Sequence, residues 1–216
     1  MMTDKADLLH EVESILEREL VRLGARKKWS VYLLPLAKDI SGWIGLSRLT
    51  NCGPHRVGIS PTIGVRHEQI ESIIKRMSDW GRPAPTISTN VGYLMPERDY
   101  AEWIFEPSPF DYVAEAEKVA KAISLHGLPF MSANSSLDTI VADLEDLVFT
   151  FKESAVYRLP AAYLVAGKRE LAIAYVQRHQ ESLVGSPDAA HRYALFAKAL
   201  IEEAQKLPRT DEVDRA

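Results

Sequence analysis

The chain has 216 residues, a formal net charge of −4, and 46% hydrophobic against 26% charged residues. That balance excludes disordered, collagen-like and coiled-coil chains and fits one large domain or two small ones. The single cysteine, Cys52, excludes an internal disulfide framework and a cysteine-rich metal site, and the acidic balance argues against a dedicated nucleic-acid binder.

Acidic residues follow the first methionines at once, so the start does not read as a signal peptide, and no run approaches the ~18 apolar residues of a membrane helix. A cytoplasmic setting is the expectation. Residues 4–25 are predicted as a helix, because Leu8, Leu9, Val12, Ile15, Leu16, Leu20 and Leu23 fall on one stripe. Thr3 or Asp4 is its expected cap and Gly24 its expected end.

From Trp29 to about Glu106 the period changes to two. Strands are predicted at 29–36, 40–50, 57–65, 86–95 and 100–106, with a helix at 67–77 between the third and fourth. Pro61 removes a ladder donor, so the third strand is expected at an edge or to carry a bulge. Trp29, Trp43, Trp103, Phe105 and Phe110 are assigned to the core. The rest reads as helices: 110–126 ended by Gly127, 137–148 started by Ser135 or Ser136, a helix from Pro160 to Ala166, 169–183, and a last one opened by Ser186-Pro187-Asp188 through Leu207.

This order predicts an α+β fold: an N-terminal helix, a curved, mostly antiparallel sheet of about five strands with a crossover helix, then a C-terminal helical region. The sheet domain is expected over 1–130, a helical extension packed on it over 131–207, and a flexible tail over 208–216.

No phosphate-binding loop, dinucleotide fingerprint, His-Glu-x-x-His or Gly-x-Ser-x-Gly occurs, and none of the six histidines pairs at helical metal-site spacing. Accordingly no catalytic residue, cofactor or metal is predicted. Cys52 and His55 share a turn and are the one pair that resembles a nucleophile and base, but they are read as a coincidental pair rather than a catalytic one. Glu68 and Glu71 suit a helix start through the helix dipole, and Asp143, Glu145 and Asp146 read as a solvated face.

Two features carry more. Residues 18–82 hold twelve Lys/Arg against five Asp/Glu, whereas 97–146 hold eleven Asp/Glu against three Lys/Arg. Opposed fields of this kind can steer a charged partner or hold two parts of one chain together. The second feature is a small, hydroxyl-rich sheet face: Ser60 and Thr62 with Gly58 and Gly64 on one strand, Ser88 and Asn90 with Thr86 and Gly92 on another. It lacks the Lys and Glu of an ordinary wet face and is expected to be open to a ligand or a partner's loop. Trp80 and Tyr100 are the predicted interface anchors, and Glu97, Asp99, Glu102 and Glu106 the acidic contacts.

The run His126-Gly-Leu-Pro-Phe130, followed by Ser135-Ser136-Leu137-Asp138-Thr139-Ile140 and preceded by Trp103-Ile-Phe-Glu106, resembles a pattern in small bacterial α+β proteins, some of them similar to immunity proteins. The likeness covers about residues 5–150. It implies a protein that inhibits a toxin by binding it, and no catalytic residues. Residues 162–175 also resemble half of a tetratricopeptide-type hairpin, although such repeats need about three units to bury their faces. Three functions therefore stand: a non-enzymatic protein binder, a small-ligand binder or enzyme using the polar sheet face, and a self-associating module.

Overall fold

A computed structural model describes residues 5–78, 84–183 and 187–206, the side chains of 109–111 and 187 excepted. Trp80, the side chain of Phe110, the caps Thr3 and Asp4, and the tail 208–216 lie outside the described residues. In chain order the elements are α1 (Lys5–Arg22), β1 (Arg26–Lys28), β2 (Val31–Ala37), β3 (Ile40–Leu49), β4 (Val57–His67), α2 (Glu68–Met77), β5 (Ile87–Asn90), β6 (Trp103–Phe105), α3 (Pro109–Ala122), α4 (Leu128–Ala133), α5 (Leu137–Asp146), α6 (Lys152–Val165), α7 (Arg169–Ser182) and α8 (Pro187–Lys206). The fold is α+β, with an N-terminal helix, a curved, open, mostly antiparallel sheet, and C-terminal helices. Among the described residues no helix is long and apolar enough to cross a membrane.

The chain divides into two compact units. One comprises Met1–Arg66 and Ser88–Ser135, the other His67–Ile87 and Ser136–Ala216. Residues 67–87, which lie among the strands in sequence, thus group with the later helices.

In the first unit the strand order is β1-β2-β3-β4-β5, with β6 added on β4. Leu8, Val12, Leu16 and Leu20 recur every four residues on α1 and are fully buried, each contributing about 1.5–3 kcal/mol by leaving water. α1 packs on α3, and the sheet supplies Ile44, Val57, Ile59, Ile63, Val65 and Phe105 to the core.

Several expectations are corrected here. The predicted strand 29–36 is a hairpin: Lys28 pairs with Val31, so Trp29 and Ser30 form a two-residue turn. Trp29 takes the left-handed conformation that such a tight turn demands (φ 57°) and is 69% exposed rather than in the core. β4 is an interior strand, not an edge. β3 and β5 flank it, and β6 pairs with Val57, Gly58 and Ile59, short of Pro61. The predicted strand 86–95 ends at Asn90 and turns into a 3₁₀ helix, Val91–Leu94. Gly127 does not end α3. The chain runs on through a π-helical turn, Ile123–Gly127, into α4, with the Leu128 N–H bonded to the Ile123 carbonyl five residues back. The wide turn suits Pro129, which brings no N–H of its own.

The second unit is built around α6, which packs on α2, α5, α7 and α8. Surrounded on so many sides, it has no wet stripe of any width: Ala155, Val156 and the whole run Arg158–Leu164 are buried. Ser136 caps α5 through a reciprocal capping box with Thr139, as one of the two expected starts requires.

Pro160 was expected to open a helix and instead lies inside α6. A proline there leaves the carbonyl four residues back without its helical donor. That carbonyl belongs to Val156, and the buried Tyr193 hydroxyl of α8 donates to it at 3.1 Å. The side chain of one helix therefore mends the broken ladder of another. Tyr193→Phe should lower stability by about 1–3 kcal/mol in chemical denaturation, the usual cost of an unsatisfied buried acceptor. Pro160→Ala should recover most of that loss, because its new N–H can take the Val156 carbonyl. Equal effects of Pro160→Ala with and without the Tyr193 hydroxyl would refute the link.

At the heart of this unit lies a buried ion pair. Arg158 Nε and Nη2 donate to the two Glu71 carboxylate oxygens at 2.8 and 3.3 Å. Thr86 Oγ1 donates to Glu71 Oε1 at 3.0 Å and accepts from the His67 backbone N–H at 3.0 Å, while Arg158 Nη1 also donates to Ser154 Oγ. Glu71, Thr86 and Arg158 are all at most 6% exposed. The helix-dipole reading of Glu71 thus misses its main partner. Asp143 is likewise buried rather than solvated. It accepts from the Phe149 N–H (3.0 Å) and the Thr150 hydroxyl (2.9 Å), clasping the chain after α5, and burial still pushes its carboxyl up from the ordinary value.

Candidate functional site

Asn90, the last residue of β5, organises an exposed loop of the first unit. Its Oδ1 accepts from the Gly92 N–H at 2.8 Å and the Ala101 N–H at 2.9 Å, and its Nδ2 donates to the Ala101 carbonyl at 3.0 Å and to Ser60 Oγ at 2.9 Å. One side chain therefore ties both ends of the segment 92–101, the arrangement of a compact Ω-type loop. Gly92 permits the closure: a Cβ there would sit 2.1 Å from the Asp99 carbonyl oxygen. The Tyr100 hydroxyl closes the knot by donating to Ser60 Oγ at 2.7 Å.

The polar sheet face is thereby corrected. Ser60 is buried on β4, beneath Asn90 and Tyr100, and Gly58 and Gly64 are buried with it; Thr62 and Ser88 are half-buried. A Cβ on Gly58 would meet Cys52 Sγ at 2.4 Å, so this side of the strand is covered as well. The lack of charge on that face reflects an interior position, not an open platform.

The loop exposes aromatic and acidic side chains. Tyr93 and Tyr100 are each about half exposed, and Glu97, Asp99, Glu102, Ile104 and Glu106 are exposed beside them. Arg98 is the one cation among residues 95–106. Glu106 pairs with Arg56 at 2.6 Å, both more than half exposed, a contact of little energetic weight. Asp99 Oδ1 accepts from the Tyr100 N–H at 2.7 Å. Among the described residues Glu97, Asp99 and Glu102 form no ion pair. Tyr100, expected from sequence as an interface anchor, is a strut of the loop: the residue is about half exposed while its hydroxyl is held by Ser60.

The basic stretch behaves differently. Arg48 makes a bidentate pair with Glu13 of α1 at 2.6 and 2.9 Å, Lys27 pairs with Glu17, and Arg22 with Glu19 at 2.8 Å. Four cations of the basic stretch, Arg18, Arg22, Lys27 and Arg48, are therefore met by acids of α1, whereas in the acidic loop Glu106 pairs with Arg56 and, among the described residues, Glu97, Asp99 and Glu102 form no ion pair. The Glu17 carboxyl is held below its usual range by the hydrogen bond from Lys27, in line with that pairing. Cys52 donates to the Leu49 carbonyl at 3.7 Å, a structural contact for the thiol. Among the described residues no three His, Cys, Asp or Glu side chains converge as metal ligands.

Sequence reasoning found the acidic side chains and Tyr100. It missed Asn90 as the organiser, Tyr93 as an exposed neighbour, and the burial of Ser60. An Asn two residues before a Gly, at the end of a β-patterned run, was the available signal for a capped turn rather than a longer strand.

Fold and surface together define an α+β protein with a rigid, exposed acidic–aromatic loop. No family model, no curated protein and no solved structure matches the chain.

Proposed function

We propose that this protein acts by binding another protein, whose docking face is basic, through the loop 93–106. The observation that carries this reading is the set of three exposed carboxylates, Glu97, Asp99 and Glu102, which form no ion pair among the described residues, together with two half-exposed tyrosines on a loop locked from beneath. Tyrosines of this kind supply contact area at low entropic cost, and unpaired carboxylates steer a positive partner. Neutralisation of a toxin by direct binding, as the likeness to immunity-type proteins implies, is the specific form of the proposal. A nuclease, whose surface must be basic to hold nucleic acid, is the partner class with matching charge.

The alternative of a ligand on the polar sheet face loses its opening, because Ser60 and Asn90 spend their hydrogen bonds inside the unit. The test is quantitative affinity capture from the native cell with the wild-type chain and with a Glu97→Lys, Asp99→Lys, Glu102→Lys variant. These exposed substitutions should leave the circular dichroism spectrum unchanged and reduce recovery of the specific partner by about tenfold or more, as reversed charges at an interface do. Identical capture profiles for the two chains would overturn the assignment of this surface.

A further inference from the structure

The second unit contains a cleft that the loop does not involve. It lies between α6, α7 and α8, measures about 710 Å³, and is lined by Val156, Tyr157, His179, Leu183 and Tyr193, with Lys152, Glu153 and Arg192 also on its walls. That volume is within the range of small-molecule sites. Its floor is rigid. Tyr157 meets Tyr193 and Phe196 edge-on, with ring centroids 5.3 and 4.9 Å apart, and His179 meets Tyr193 edge-on at 4.6 Å. The Tyr193 hydroxyl is committed to the Val156 carbonyl and its ring is buried, so the ring surface open to the cleft is that of the half-buried Tyr157 and His179.

The charges belong to exposed side chains on the walls. Lys152 and Arg192 are exposed, and among the described residues neither enters an ion pair or a hydrogen bond; Glu153 is the one carboxylate beside them. Burial, and then the nearby Lys152, hold the His179 imidazole below its ordinary pKa. Two cations and one anion leave the cleft a single uncompensated positive charge above an aromatic floor.

We propose that this cleft binds a small planar aromatic monoanion, its ring against Tyr157 and His179 and its acidic group between Lys152 and Arg192. Ring contact gives the apolar gain, and the two cations give the sign selectivity.

The experiment is calorimetric titration of the full chain with naphthalene-2-carboxylate and with its neutral isostere, naphthalene-2-carboxamide. A ligand of this size should bind with a Kd near about 1 mM. The carboxylate should bind at least fivefold more tightly than the amide. In a Lys152→Gln, Arg192→Gln variant, whose changes lie at exposed positions, that preference should fall below twofold while amide binding persists. Equal affinity for the two probes, a preference that survives in the variant, or no saturable binding of the carboxylate would each overturn the proposal.

Discussion

Glu71→Ala is expected to lower the stability of the helical unit by about 3–5 kcal/mol, read from urea unfolding followed by circular dichroism. The cause is not the loss of attraction alone. The substitution deprives the Arg158 guanidinium, 4% exposed, of both bonds to its carboxylate, and a buried charge that loses its counter-ion costs more than the attraction itself. A Glu71→Met, Arg158→Met double variant should therefore lie far closer to the wild type than either single change, because it removes both charges and refills the volume. A double variant that loses as much as the sum of the singles would show that the pair is not energetically coupled. The consequence for the fold is specificity. Bidentate geometry fixes α2 against α6 at one register, with Thr86 and Ser154 setting the orientation of the two side chains.

That pair also shows why part of the architecture is readable from the sequence and part is not. The stripe Leu8, Val12, Leu16 and Leu20 announces α1, because its signal lies within one helix. The Ser136–Thr139 cap announces α5 for the same reason. Glu71 and Arg158 are 87 residues apart, and nothing local distinguishes Glu71 from an ordinary acid in a first helical turn. Pro160 misleads in the same way: its tolerance inside α6 depends on Tyr193, 33 positions later in the chain, which supplies the Val156 carbonyl with a donor. In the loop, the acidic side chains are visible as composition. The burial of Ser60 is not, because it is produced by Asn90 and Tyr100, which lie 30 and 40 residues away. Alternation along β4 points to one wet face, whereas contacts across the fold cover both.

Asn90→Ala is expected to cost about 2–4 kcal/mol, four net hydrogen bonds at roughly 0.5–1.5 kcal/mol each less what water restores to the freed groups. The loss should be local before it is global. Amide hydrogen exchange should speed up at Gly92 and Ala101, whose N–H groups lose their acceptor, while the amides of α1 keep their protection. Asn90→Asp separates the two halves of the interaction. It keeps both acceptor contacts to the backbone, removes the donations to Ser60 and Ala101, and should fall between the wild type and the alanine variant. Unchanged exchange at Gly92 and Ala101 would mean that the loop holds its shape without Asn90. If the loop is the docking surface, the alanine variant should also bind its partner less tightly, although Asn90 itself is half-buried and need not touch it. A loosened loop must be ordered again on binding, and that entropy is subtracted from the affinity. The decrease should appear with the acidic side chains intact, and it should persist at high salt, where charge-reversal effects fade.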